Sequence, residues 1–207
     1  MALIRSAGIA STAVSQPDDL QALTMQLQQG AAGERREAAR ALAALPQTSA
    51  LLARQLEEET ERSVLEALVT SLAERADETA VTALLDCLRS EDAALRNDAI
   101  EALKVAGRHH PALIQDALGD SDSDVRILAI GILESLKHPD VELWLIDLIE
   151  HDPHLNVCSC AVDLLCEVGT ERAVPALESC RARFPDEAFL DFAIGLALSR
   201  LQGADGL

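Results

Sequence analysis

An all-α fold of stacked helix pairs is predicted by three features of the chain. The composition is aliphatic: 49% of the 207 residues are hydrophobic, only 2% are aromatic, and tyrosine is absent. A core of Ala, Leu, Val and Ile suits close packing of helices. An eight-residue pattern recurs six times, and capping or turn-forming residues separate the recurrences.

The pattern is clearest in RILAIGIL at 126–133. It aligns with RREAARAL (35–42), RSVLEALV (62–69), RNDAIEAL (96–103), CSCAVDLL (158–165) and LDFAIGLA (190–197). One column then holds Ala38, Leu65, Ala99, Ala129, Ala161 and Ala193, at spacings of 27, 34, 30, 32 and 32 residues. That is the length of two short helices with their turns. Four places after the alanine comes Leu42, Leu103, Leu133, Leu165 or Ala197. A small and a larger apolar residue at i and i+4 share one helical face, where the small one admits a neighbouring backbone.

Each such helix is preceded by another apolar periodic stretch. In order, these are Leu20–Gln28, Leu51–Glu58, Thr79–Leu88, Pro111–Leu118, Val141–Ile149 and Arg172–Cys180. The turns between first and second helices contain Gly30 and Gly33, Ser90–Asp92, Gly119–Asp124, Asp152 with Pro153, and Pro185 with Asp186. Six helix–turn–helix units thus fill residues 17–201, between a flexible N-terminal segment (1–16) and a C-terminal tail (202–207).

The fourth turn invites a metal reading, because Asp120, Asp122 and Asp124 have the spacing with which a calcium loop begins. Such a loop needs glycine at its sixth position and glutamate at its twelfth, where this chain has Val125 and Gly131. Asp120 is expected to close a turn, and Asp122 or Ser123 to cap the following helix.

The formal charge is −18, and residues 1–48 are balanced with four basic and four acidic residues. The rest of the chain therefore carries the whole imbalance. Such a surface repels nucleic acid and anionic membrane, which leaves a protein partner with a basic or neutral surface. The five cysteines are odd in number and irregularly spaced, and are expected to be reduced. No apolar run approaches membrane-spanning length, and the opening residues lack a signal-peptide pattern. A cytoplasmic location follows as an expectation.

The form D-x-x-V-R-x-x-A-x-x-x-L in DSDVRILAIGIL, with GTERAVPALESC at 169–180, resembles the HEAT repeat, especially the short variant of phycobilisome lyases. The resemblance implies a right-handed α-solenoid of about six antiparallel helix pairs, whose second helices line a curved inner face that binds other proteins. It also implies a ladder of arginines that pair with turn aspartates and join successive repeats. Arg35, Arg62, Arg96 and Arg126 hold that column, and Cys158 and Leu190 replace it in the last two units.

Positions two before and two after the alanine column form a stripe pointing away from the core. It reads Arg36 and Arg40, Ser63 and Ala67, Asn97 and Glu101, Ile127 and Gly131, Ser159 and Asp163, then Asp191 and Gly195. This order, from basic through apolar to acidic, is expected to hold and orient a protein partner, anchored at Ile127. Phe184, Phe189 and Phe192 all fall in the last unit and are expected to pack as an end cap, and Trp144 to be partly buried between repeats. Of His151, His154, Cys158, Cys160 and Cys166, Cys158 and Cys160 point apart on a helix, so no metal site is expected. No catalytic constellation and no cofactor site emerges. A non-catalytic adaptor, scaffold or assembly chaperone is the leading reading; a bilin lyase or other tetrapyrrole-handling protein is the alternative.

Overall fold

The computed structural model describes residues 17–203 and shows, among them, twelve α-helices and no strand. The expected segment 1–16 and the last four residues of the expected tail lie outside the described residues. The helices pair in chain order. α1 (Pro17–Gln29) precedes α2 (Ala32–Ala43), α3 (Ser49–Glu58) precedes α4 (Arg62–Arg75), and α5 (Glu78–Asp86) precedes α6 (Ala93–Ala106). Then come α7 (Pro111–Ala117) with α8 (Ser123–Leu136), α9 (Val141–His151) with α10 (Leu155–Val168), and α11 (Val174–Arg183) with α12 (Ala188–Gly203).

The even-numbered helices pack in sequence from α2 to α12 and form the inner layer. The odd-numbered helices form the outer layer. One aliphatic core runs from Leu27 in α1 to Leu201 in α12, so no pair buries its apolar face alone. The outer layer is thinnest at α7, whose seven residues leave an open seam towards α9. Trp144 lines that seam, half-buried and stacked on His138 at 4.9 Å between ring centroids.

Helix starts follow from their caps. Asp77 accepts from the Ala80 N–H at 3.0 Å, Asp92 from Ala94 at 2.8 Å, and Asp122 from Asp124 at 2.9 Å. The middle aspartate of DSDSD is therefore the cap of α8. Asp120 does more than close its turn: it accepts from the Asp122 N–H and forms an ion pair with Arg89 of the preceding repeat.

Among the described residues, eight arginines bridge one repeat to the next. Arg35, fourth residue of α2, grips Glu59 with two bonds of 2.9 Å and donates to Gly30 O of its own turn. Arg126, fourth residue of α8, does the same with Asp152, at 2.6 and 3.1 Å, and with Asp120 O at 2.7 Å. In both cases the acid stands three residues before the next inner helix.

The other two column arginines behave differently. Arg62 is the first residue of α4, one turn too early, and reaches across to Asp98 within α6. Arg96 donates to Ser90 O of its own turn and forms no ion pair among the described residues, because Arg89 occupies Asp120. The true fourth residue of α4 is Leu65, and the residue facing it, three before α6, is Ser90. In the fifth repeat the positions are Cys158 and Pro185. Where the arginine is missing, its acid is missing too.

A further set of arginines, with one histidine ring, covers the exposed carbonyls at helix C-termini, where the helix dipole favours positive charge. Arg75 donates to Leu45 O beyond α2, and the His110 ring contacts Ala76 O at the end of α4. Arg108 donates to Ser135 O of α8, Arg183 to Glu150 O of α9, and Arg200 to Glu167 O of α10.

These contacts make stability pH-dependent on the acid side. Burial opposes ionisation of Glu59, but Arg35 and two backbone N–H groups more than offset it and hold the carboxyl below its usual range. Asp77 is lowered in the same way, against burial, by Ser49, the Ala80 N–H and Arg75. Asp120 is lowered chiefly by Arg89. A carboxyl whose folded pKa lies below its unfolded value of about 4 stabilises the fold above that pH and loses its contribution as pH falls further. Urea midpoints of wild type and Glu59→Gln are therefore expected to differ at pH 7 and to converge below about pH 4. A constant difference down to pH 3 would refute this role for Glu59.

Candidate functional site

The inner layer has a simple register. The seventh residue of each inner helix is fully buried: Ala38, Leu68, Ala99, Ala129, Ala161 and Ile194. Their spacings are 30, 31, 30, 32 and 33 residues, more even than the sequence alignment gave. The fifth and ninth residues flank that column and lie on the open face.

This register keeps eight of the expected stripe positions together: Arg36 and Arg40 on α2, Asn97 and Glu101 on α6, Ile127 and Gly131 on α8, Ser159 and Asp163 on α10. Arg40, Asn97, Glu101, Gly131 and Asp163 are exposed; Arg36, Ile127 and Ser159 are half-buried. Two repeats are corrected. On α4 the fifth and ninth residues are Glu66 and Thr70, both exposed, whereas Ala67 is buried. On α12 they are Phe192 and Leu196, whereas Asp191 turns to the outer layer, 2.8 Å from Arg181 of α11, and Gly195 sits against the same guanidinium.

The second correction changes the character of the face. Phe189, Phe192 and Leu196 are 73%, 70% and 56% exposed on one side of α12, so they do not form a packed end cap. Only Phe184 is half-buried, with Arg183 over its ring. The stripe therefore runs from basic at α2 to apolar at α12.

Two grooves open between inner helices. One, of about 600 Å³ between α4 and α6, has Val69, Ala73, Ala102 and Val105 as its floor and Glu66, Glu74, Asp98 and Glu101 around it. The other, of about 350 Å³ between α8 and α10, has Ile127, Ile130 and Leu164 as its floor, with Glu134, Asp163 and Glu167 around it. Gly131 keeps the second groove open: no heavy atom lies within 4 Å of where its Cβ would stand. A third cavity, of about 470 Å³, lies on the turn edge beside Leu65, Cys87 and Ser90. It lies where a ladder arginine from α4 would reach.

The cysteines are unpaired. Cys158, at the ladder position, donates to Asp152 O at 3.4 Å and receives Arg183 Nη2 at 3.3 Å, so the next repeat supplies the missing cation. The neighbouring Cys180 thiol is lowered to about 7 by the Cys158 thiol and by Arg183, against its burial. Burial pushes the Cys87 thiol up to about 11. His151 is exposed and bonded to Asp147 O, His154 is exposed, and Cys160 lines the α8–α10 groove. Among the described residues, no three His, Cys, Asp or Glu side chains are placed to share a metal ion.

Residues 110–197 match the family model described as HEAT repeats. With the helix pairing above, the described residues form an α-solenoid of six HEAT-like helix pairs. A solved structure of an engineered protein from a structural genomics consortium shares 18% identity with it. The alignment covers 89% of this chain and 97% of that one, with a TM-score of 0.42. No curated protein matches the sequence. HEAT repeats commonly mediate protein interactions, and no helix among the described residues is long and apolar enough to cross a membrane.

Proposed function

We propose that this HEAT-like solenoid is a non-catalytic adaptor, scaffold or assembly chaperone that holds a basic or neutral protein partner along its concave inner face. One observation carries the reading: the fifth and ninth residues of six successive helices form an open face with apolar grooves rimmed by carboxylates. The cations that would balance those acids are largely spent on joining repeats. A face of this kind attracts Lys- and Arg-bearing segments and repels nucleic acid and anionic lipid. Five unpaired cysteines support a cytoplasmic setting. The tetrapyrrole reading has less support, because bilin propionates would meet the same carboxylates that rim both grooves.

The test compares wild type with a Glu101→Lys, Asp163→Lys variant in affinity purification from native lysate. The variant is expected to lose the salt-sensitive partners of the wild type. An unchanged set of partners with unchanged salt dependence would rule out this face as the binding surface.

A further inference from the structure

The two inner grooves differ in how their acids are balanced. At α4–α6, Arg62 pairs with Glu66 and Asp98, and Lys104 with Glu101. At α8–α10, Glu134, Asp163 and Glu167 form no side-chain ion pair among the described residues, and Arg200 nearby is engaged with carbonyl oxygens of Cys166 and Glu167. This second groove therefore combines unbalanced negative charge with an apolar floor. On the next inner helix, at the same fifth and ninth positions, stand the exposed Phe192 and Leu196, with Phe189 beside them. Polar Ser159 and Asp163 of α10 stand between this patch and the groove, so apolar surface flanks the acids on both sides. Large apolar side chains exposed in a contiguous patch mark an interaction surface.

We infer that α8, α10 and α12 form the primary docking site of the face, and that its occupant is a short amphipathic segment of a protein partner, an apolar stripe bordered by Lys or Arg. The inference rests on the inner-face reading proposed above and narrows it to one half of the face and one chemistry. Charge complementarity selects the occupant: apolar side chains enter the floor while cations meet Glu134, Asp163 and Glu167. Inner helices lie about 8–10 Å apart, so the site is roughly 16–20 Å long. That length corresponds to about 11–13 residues of helix.

The experiment uses the full chain and two fluorescent helical peptides of about 14 residues, one of leucine and lysine, the other of leucine and glutamate, titrated by anisotropy at about 0.15 M salt. The leucine–lysine peptide is expected to bind and the leucine–glutamate peptide not to. Asp163→Lys and Phe192→Ser are each expected to weaken binding by about tenfold, Glu66→Lys by less than about twofold. Bound peptide should also slow alkylation of Cys160. All three altered residues are exposed, and circular dichroism checks that the variants stay folded. If Glu66→Lys weakens binding and Asp163→Lys does not, the inner-face reading stands and this inference fails. If only an outer-layer reversal, Glu178→Lys, weakens it, both fail. Equal binding of the two peptides, or no binding to wild type, also overturns the inference.

Discussion

Asp152→Ala is expected to destabilise the protein by about 3–5 kcal/mol, the cost of leaving a buried charge without its partner. Arg126 and Asp152 are 8% and 6% exposed, joined by two bonds across the junction of the fourth and fifth repeats. The carboxylate also accepts from the His154 N–H at 2.8 Å. Without it, the guanidinium keeps only Asp120 O. The chain contains its own neutral solution to the same junction, since Leu65 and Ser90 occupy the matching positions between the second and third repeats. Arg126→Leu combined with Asp152→Ser is therefore expected to be more stable than the sum of the two single changes predicts, by about 1–3 kcal/mol. The recovery is partial, because the Leu65–Ser90 junction has a cavity beside it. Urea denaturation of the two single variants and the double closes the cycle. Strict additivity would mean that the bond pair contributes no coupling. Because the pair is buried, its contribution should change little with salt, unlike the more exposed Arg89–Asp120 pair.

Helix pairing was legible in the sequence because apolar residues at i, i+3 and i+4 report a buried face directly. Register was less legible, and the reason is local. VLEALVTSL in α4 offers two apolar phases three residues apart, and Arg62 at the head of the earlier one resembles a ladder arginine. The helix starts at Arg62, which decides for the later phase. In α12 the small Ala193 draws the alignment one residue early, although Ile194 is the residue at the buried seventh position. The acidic end expected of the stripe belongs to an Arg181–Asp191 pair, and an exposed apolar end stands there in place of the expected cap. The cations at helix C-termini left almost no trace, because their partners are backbone carbonyls. A basic residue in or just past the last turn, as at Arg75, Arg108 and Arg200, was the one available signal.

Leu68→Ala tests that register and is expected to cost about 2–5 kcal/mol, although four of the other five repeats carry alanine at the same position. Leu68 is fully buried, and the seventh positions on either side of it, Ala38 and Ala99, are small. Truncating it removes a side chain that the native packing of α2, α4 and α6 is built around, and a packed interior relaxes only partly around such a gap. Leu65→Ala is the control: Leu65 lines the turn-edge cavity, so part of its surroundings is already empty and its truncation is expected to cost less. The order of the two effects identifies the column, whatever their absolute size. A larger loss at Leu65 would place the core three residues earlier and return Ser63 and Ala67 to the open face. Since each repeat leans only on its neighbours, the damage from Leu68→Ala should be concentrated in α2 to α6. Hydrogen exchange there should accelerate well before it does in α10, and uniform acceleration along the chain would show that the stack unfolds as one unit instead.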